Sequence, residues 1–118
     1  MFGFKKKNIP SSPKPLVAYT YKQSATNDGF RRIKLSSHGY QPAMDGILAL
    51  AGADLTNADI TVNIFGGDSP RGVVVVDGHE VGTIWETSFD KFKQLTEGGI
   101  DSIRIEIRGN ESYLFYKV

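Results

Sequence analysis

Asp77-Gly78 stands between Val73-Val-Val-Val76 and Val81-Gly-Thr-Ile-Trp85. No other short stretch constrains the fold of this chain as tightly. Asp-Gly accepts the positive φ angles of a two-residue type I′ turn, so the spacing predicts a β-hairpin at 77–78. Four consecutive valines leave no wet face, which predicts a central strand covered on both sides. A second hairpin is expected at Gly109-Asn110, where Ile103, Ile105 and Ile107 alternate with Arg104, Glu106 and Arg108 ahead of Glu111 to Val118. With a two-residue turn, Arg108 opposes Glu111, Glu106 opposes Tyr113 and Arg104 opposes Phe115, all on the face away from the isoleucines.

The remaining segments fill in around these hairpins. Leu16 to Tyr21 reads as a strand, and the polar stretch Lys22 to Gly29 turns it into another at Phe30 to Ser36, a pair able to form a hairpin. Met44, Ile47, Leu48 and Ala51 recur at helical spacing between Pro42 and Gly52, predicting a first helix with that apolar face. Ile60, Val62 and Ile64 alternate with polar residues as a half-buried strand does, and Gly66 to Gly72 follows as a loop. Thr87 with Asp90 resembles a capping box, and Phe89, Phe92 and Leu95 form the stripe of a second helix that ends at Gly98-Gly99. The element order is ββαβββαββ. The expected fold is α+β, a strongly curved, mainly antiparallel sheet or small barrel with two helices.

A chain of 118 residues suits one domain, since a core of this size buries roughly two-thirds of the surface the unfolded chain exposes. Residues 1–15 hold three prolines among lysines and serines, so they read as a flexible basic leader, with a single domain over 16–118. Lys5, Lys6, Lys7 and Lys14 lie in that leader. Of fourteen basic residues ten therefore remain against thirteen acidic ones, and the body carries about −3 although the whole chain is +1. A broad cationic nucleic-acid surface is not expected on the body, so phosphate attraction must come from the leader or a local patch. The opening residues have charge without an apolar run behind it, which predicts no secretory signal, and no stretch is long enough to span a bilayer. The absence of cysteine excludes a disulfide scaffold, a thiolate metal site and a cysteine nucleophile, and suits a cytoplasmic setting.

Catalytic chemistry finds no constellation. His38 and His79 are the two histidines, and neither has the acid or histidine spacing of a metal site, so no metal and no cofactor are expected. His79 follows the Asp-Gly turn as a solvated loop-tip residue would, whereas His38 sits beside Gly39 and Tyr40 at a strand end, better placed to bind. Ser69 lacks a nucleophile elbow, and pairs such as Glu80 with Glu86 occupy ordinary surface positions. The chain reads as a non-enzyme. The loop Gly66 to Gly72 is the most chemically suggestive segment, because its glycines expose backbone N–H groups and Arg71 offers a fork of donors to an anion. On the last hairpin, one face shows Arg104, Arg108, Tyr113, Phe115 and Lys117, cations interleaved with aromatics in the manner of a single-strand platform, although Glu106 and Glu111 neutralise both arginines.

From about Phe30 to Ile107 the chain resembles the HIRAN family, small modules found alone or at the N-termini of some DNA-remodelling helicases. The resemblance rests on the order of elements and on Gly72-Val-Val-Val-Val-Asp-Gly-His-Glu-Val-Gly-Thr-Ile-Trp85, similar to the family's hairpin ending in Val-Gly. Asp68 and Pro70 are loosely similar to its polar signature, and Tyr40 stands where a base-stacking aromatic is expected. The resemblance implies binding of single-stranded DNA or DNA ends. The ligand set of that reading is Tyr40 and Trp85 for stacking, Asp68 in the signature loop, and Arg71 with the leader lysines for phosphate. The alternative is a protein-interaction or self-assembly module, in which the face of Arg104, Arg108, Tyr113 and Phe115 meets a protein partner or a second copy.

Overall fold

Both predicted hairpins form. In the computed structural model, which describes residues 14–118, Val76 pairs with His79 across a turn where Asp77 and Gly78 have φ of 48° and 85°. The leader expected at 1–15 lies outside the described residues except for Lys14 and Pro15. The elements are β1 (Val17–Lys22), β2 (Arg31–Lys34), α1 (Gln41–Leu50), β3 (Asp59–Phe65), β4 (Arg71–Val76), β5 (His79–Trp85), α2 (Glu86–Glu97), β6 (Ser102–Arg108) and β7 (Glu111–Lys117). This is the expected order.

The strands make two antiparallel sheets, one ordered β1-β3-β4-β5 and the other β2-β7-β6. The hairpin expected between β1 and β2 is absent: β1 pairs with β3 and β2 with β7. The stretch between them crosses from one sheet to the other. Gln23 shows how, because its buried side chain acts as a surrogate strand residue against β6. Its Nε2 donates to the Ile105 carbonyl and its Oε1 accepts from the Ile105 N–H, each at 2.8 Å. The sheets meet at two seams, Gln23 with Ile103 and Ser36 with Thr83, each an isolated bridge. The barrel alternative therefore gives way to two facing sheets, since a closed barrel needs a continuous ladder at every seam.

Between the sheets lies one core, in which Ile60, Val62, Val74 and Val76 from the first face Ile103, Ile105, Leu114 and Tyr116 from the second. The strand β4 is central to its sheet, as expected, but only Val74 and Val76 point into this core. Val73 and Val75 remain half-buried on the outer face, where no helix covers them fully. On α1 the buried residues are Ala43, Gly46, Ile47 and Leu50, while Leu48 is 75 % exposed, so the helix is turned away from the face its periodicity suggested. The cause is Gly46, whose missing side chain lets the helix backbone lie directly on β5. A Cβ there would stand 1.7 Å from the Glu80 carbonyl oxygen. The second helix begins two residues earlier than the Thr87 capping box requires, with Trp85 rather than Thr87 at its N-cap and no side-chain cap hydrogen bond. Phe89 and Phe92 are its buried contacts. No helix among the described residues is long and apolar enough to cross a membrane.

Candidate nucleic-acid interface

The outer face of the first sheet is built in rows. Cross-strand register sets Phe65, Arg71 and Trp85 side by side on β3, β4 and β5, then Asn63, Val73 and Thr83, then Val75 with Glu80. A wall is added by the segment that follows β2. Ser36 exchanges backbone hydrogen bonds with Thr83, at 2.8 and 2.9 Å, and the chain then runs through His38 and Gly39 to Tyr40 at the N-cap of α1. Wall and sheet enclose a cleft of about 540 Å³ lined by Tyr40, Phe65, Arg71, Glu80, Trp85 and His38 among others. Its floor is the pair Val73 and Val75.

The structure thus brings together Tyr40, Arg71 and Trp85, three of the residues singled out in the sequence. Tyr40 and Trp85 are each 46 % exposed, which leaves ring surface open to a ligand. Asp68 does not join them; it is exposed in the turn between β3 and β4 and does not line the cleft. Arg71 belongs to β4 rather than to the preceding loop. Its guanidinium lies 4.6 Å from the centre of the Phe65 ring, and Nη1 donates to the Ser69 carbonyl at 3.0 Å. Such a stack is worth about 0.5–1 kcal/mol at an exposed site, enough to hold a flexible cation in one place. Burial, and then the nearby Glu80 carboxylate, push the Tyr40 hydroxyl above its ordinary value, against the lowering effect of Arg71. Tyr40 is therefore a neutral donor across the physiological range.

Sequence reasoning missed Phe65, Asn63 and Glu80. The place of Glu80 depends on a β-bulge: the register shifts between Val74 and Val75, so that Val74 pairs with Gly82 and Val75 with Glu80. Val81 and Gly82 both turn to the buried side, while Glu80 shares the outer face with Thr83 and Trp85. The clue was Gly82 inside an otherwise regular strand, a frequent mark of a bulge or of close backbone approach. Here it is both, since a Cβ on Gly82 would come within 2.5 Å of the Leu35 Cβ.

The face of β6 and β7 follows the predicted register, with Arg108 opposite Glu111, Glu106 opposite Tyr113 and Arg104 opposite Phe115. Pairing with β2 adds Arg32 beside Phe115 and Lys34 beside Tyr113. Tyr113 lies between two guanidinium groups, those of Arg32 and Arg108, each 5.2 Å from its ring centre. Phe115 is buried, 7 % exposed, with Arg108 5.6 Å from its ring, so it is not an open stacking platform. Glu106 accepts from Arg108 at 2.6 Å, from Arg104 at 3.2 Å and from Asn27 at 3.0 Å. The Arg108 hydrogen bond, with Arg104 assisting against partial burial, holds the Glu106 carboxyl below the usual glutamate range. A lowered value in the folded state stabilises the fold above the ordinary glutamate range and ceases to do so as pH falls through the lowered value. The Glu106→Gln variant is expected to lose about 1 kcal/mol at neutral pH. That deficit should vanish in strong acid, as urea unfolding across a pH series would show.

No family model, no curated protein and no solved structure matches this chain.

Proposed function

We propose that this protein is a non-catalytic module that binds single-stranded nucleic acid, DNA or a DNA end, in the cleft between the first sheet and the segment leading into α1. The observation that carries this reading is the row Phe65, Arg71, Trp85, with Tyr40 on the facing wall: aromatic surface interleaved with a held cation in a concave site. Every base has a π-face, and each stacked base contributes about 1–3 kcal/mol, so two or three open rings supply sequence-tolerant affinity. The resemblance of Gly72 to Trp85 to the HIRAN hairpin supports the same reading, as does a cysteine-free composition suited to the cytoplasm.

Few cations line the cleft, so stacking rather than phosphate pairing must dominate. A log–log plot of affinity against salt should have a shallow slope, about −0.7 for each phosphate engaged and so about −1 to −2 in all. The test is fluorescence anisotropy of labelled single-stranded DNA with a free or a blocked 3′ end, at two salt concentrations. Trp85, the single tryptophan, gives a parallel readout because a base stacked on it quenches its emission. Binding with Trp85 quenching supports the reading, and preference for the free end specifies a DNA terminus. No binding at low salt and tens of micromolar protein would sink it. In that case the protein-interaction or self-assembly reading takes its place, favoured by a face where Arg32, Lys34, Arg104, Arg108 and Lys117 outnumber Glu106 and Glu111 and would suit an acidic partner.

A further inference from the structure

Glu80 is the one carboxylate lining the cleft; the Tyr40 hydroxyl is its neighbour and hydrogen-bond donor, which leaves further lone pairs free, and Glu80 forms no ion pair among the described residues. It is not there by default. Without the bulge at Val74 and Val75, strand alternation would present Val81 to the cleft in its place. Its backbone is further fixed by α1, which rests on the Glu80 carbonyl at Gly46. Nearby Arg71 lies over the Phe65 ring and donates to the Ser69 carbonyl, and it makes no ion pair with Glu80.

A carboxylate with no cation paired to it repels phosphate. A strand bound in this cleft must therefore turn base edges, not backbone, toward Glu80. An ionised carboxylate only accepts hydrogen bonds, so it favours an edge that donates. Cytosine presents its N4 amino group, and carboxylates are known acceptors for it. Thymine and uracil present carbonyl oxygens on both sides of their single N3–H donor, and these oxygens face the same negative charge.

Resting on the single-strand reading above, we propose that Glu80 is a specificity-determining residue that selects amino-bearing bases, so that the cleft takes cytosine-rich strands in preference to thymine- or uracil-rich ones. Comparing pyrimidines with one another keeps the stacking area nearly constant, and including uracil removes the thymine methyl group as a cause.

The experiment measures the affinity of oligo-dC, oligo-dT and oligo-dU of equal length at neutral pH, for the protein and for Glu80→Gln. The protein should bind oligo-dC at least about fivefold more tightly than the other two. Glutamine keeps the size of the side chain but both donates and accepts, so Glu80→Gln should bring all three within about twofold, chiefly by improving oligo-dT and oligo-dU. Equal binding of the three by the unaltered protein, or a preference that survives Glu80→Gln, overturns the proposal and leaves the single-strand reading standing. Failure of all three to bind overturns both.

Discussion

Gly46→Ala will destabilise the fold by about 2 kcal/mol or more, in the upper part of the range for overpacking a well-filled interior. The added methyl would lie 1.7 Å from the Glu80 carbonyl oxygen and 2.8 Å from its carbon, atoms of a strand backbone that have no rotamer to yield. Either α1 withdraws from β5 or the bulged strand shifts, and both movements open the contacts of Ala43, Ile47 and Leu50. Alanine is the better helix former by about 1 kcal/mol, a gain that works against this loss without cancelling it. A suitable control is Gly52→Ala, where the new methyl meets nothing within 4 Å and only the φ of 76° resists it. Denaturant midpoints should order as the unaltered protein, then Gly52→Ala, then Gly46→Ala. An unchanged midpoint for Gly46→Ala would mean that α1 does not rest on β5 as described. The cleft would suffer with the core, because α1 carries Tyr40 at its N-cap and presses on the backbone of Glu80.

The same contact explains where a reading of the sequence stops. The turns at Asp77-Gly78 and Gly109-Asn110 could be read because a two-residue hairpin is decided by backbone angles inside the turn and by side chains directly across it. From them followed the register that sets Arg108 against Glu111. What could not be read depends on residues far apart in sequence. Whether β1 pairs with β2 or β3 turns on Gln23 finding Ile105, a partner 82 positions away. The buried face of α1 could not be inferred from its apolar stripe, since a glycine has no hydrophobicity to mark it although it makes the closest approach. For the cleft, Tyr40, Arg71 and Trp85 were visible as residue types that bind single strands. Phe65 and Glu80 were not: Phe65 becomes a site residue only through its register with Arg71, and Glu80 only through a bulge that reverses its face.

Trp85→Ala and Arg71→Gln will both weaken single-strand binding, and the way each does so separates stacking from charge. Removing the Trp85 ring should lower affinity about five- to a hundredfold, the equivalent of one stacked base at about 1–3 kcal/mol. Its salt slope should stay unchanged, because no phosphate contact is lost. Trp85→Phe should recover most of the affinity, since a smaller ring still offers a face. The fold should tolerate these changes, because Trp85 is half exposed and the start of α2 uses no side-chain cap. Arg71→Gln removes the cation held over Phe65, so it should reduce the slope by about 0.7, one phosphate contact on a single strand, together with a smaller loss at low salt. Anisotropy of a labelled oligonucleotide reads all variants on one scale, including those without tryptophan. If Trp85→Ala changes the slope and Arg71→Gln does not, the roles assigned to the two side chains are wrong. If neither variant alters affinity, the strand binds elsewhere and the cleft is not the interface. Loss of affinity without change of slope at Trp85, and change of slope at Arg71, would tie binding to two residues that only the pairing of β4 with β5 brings side by side.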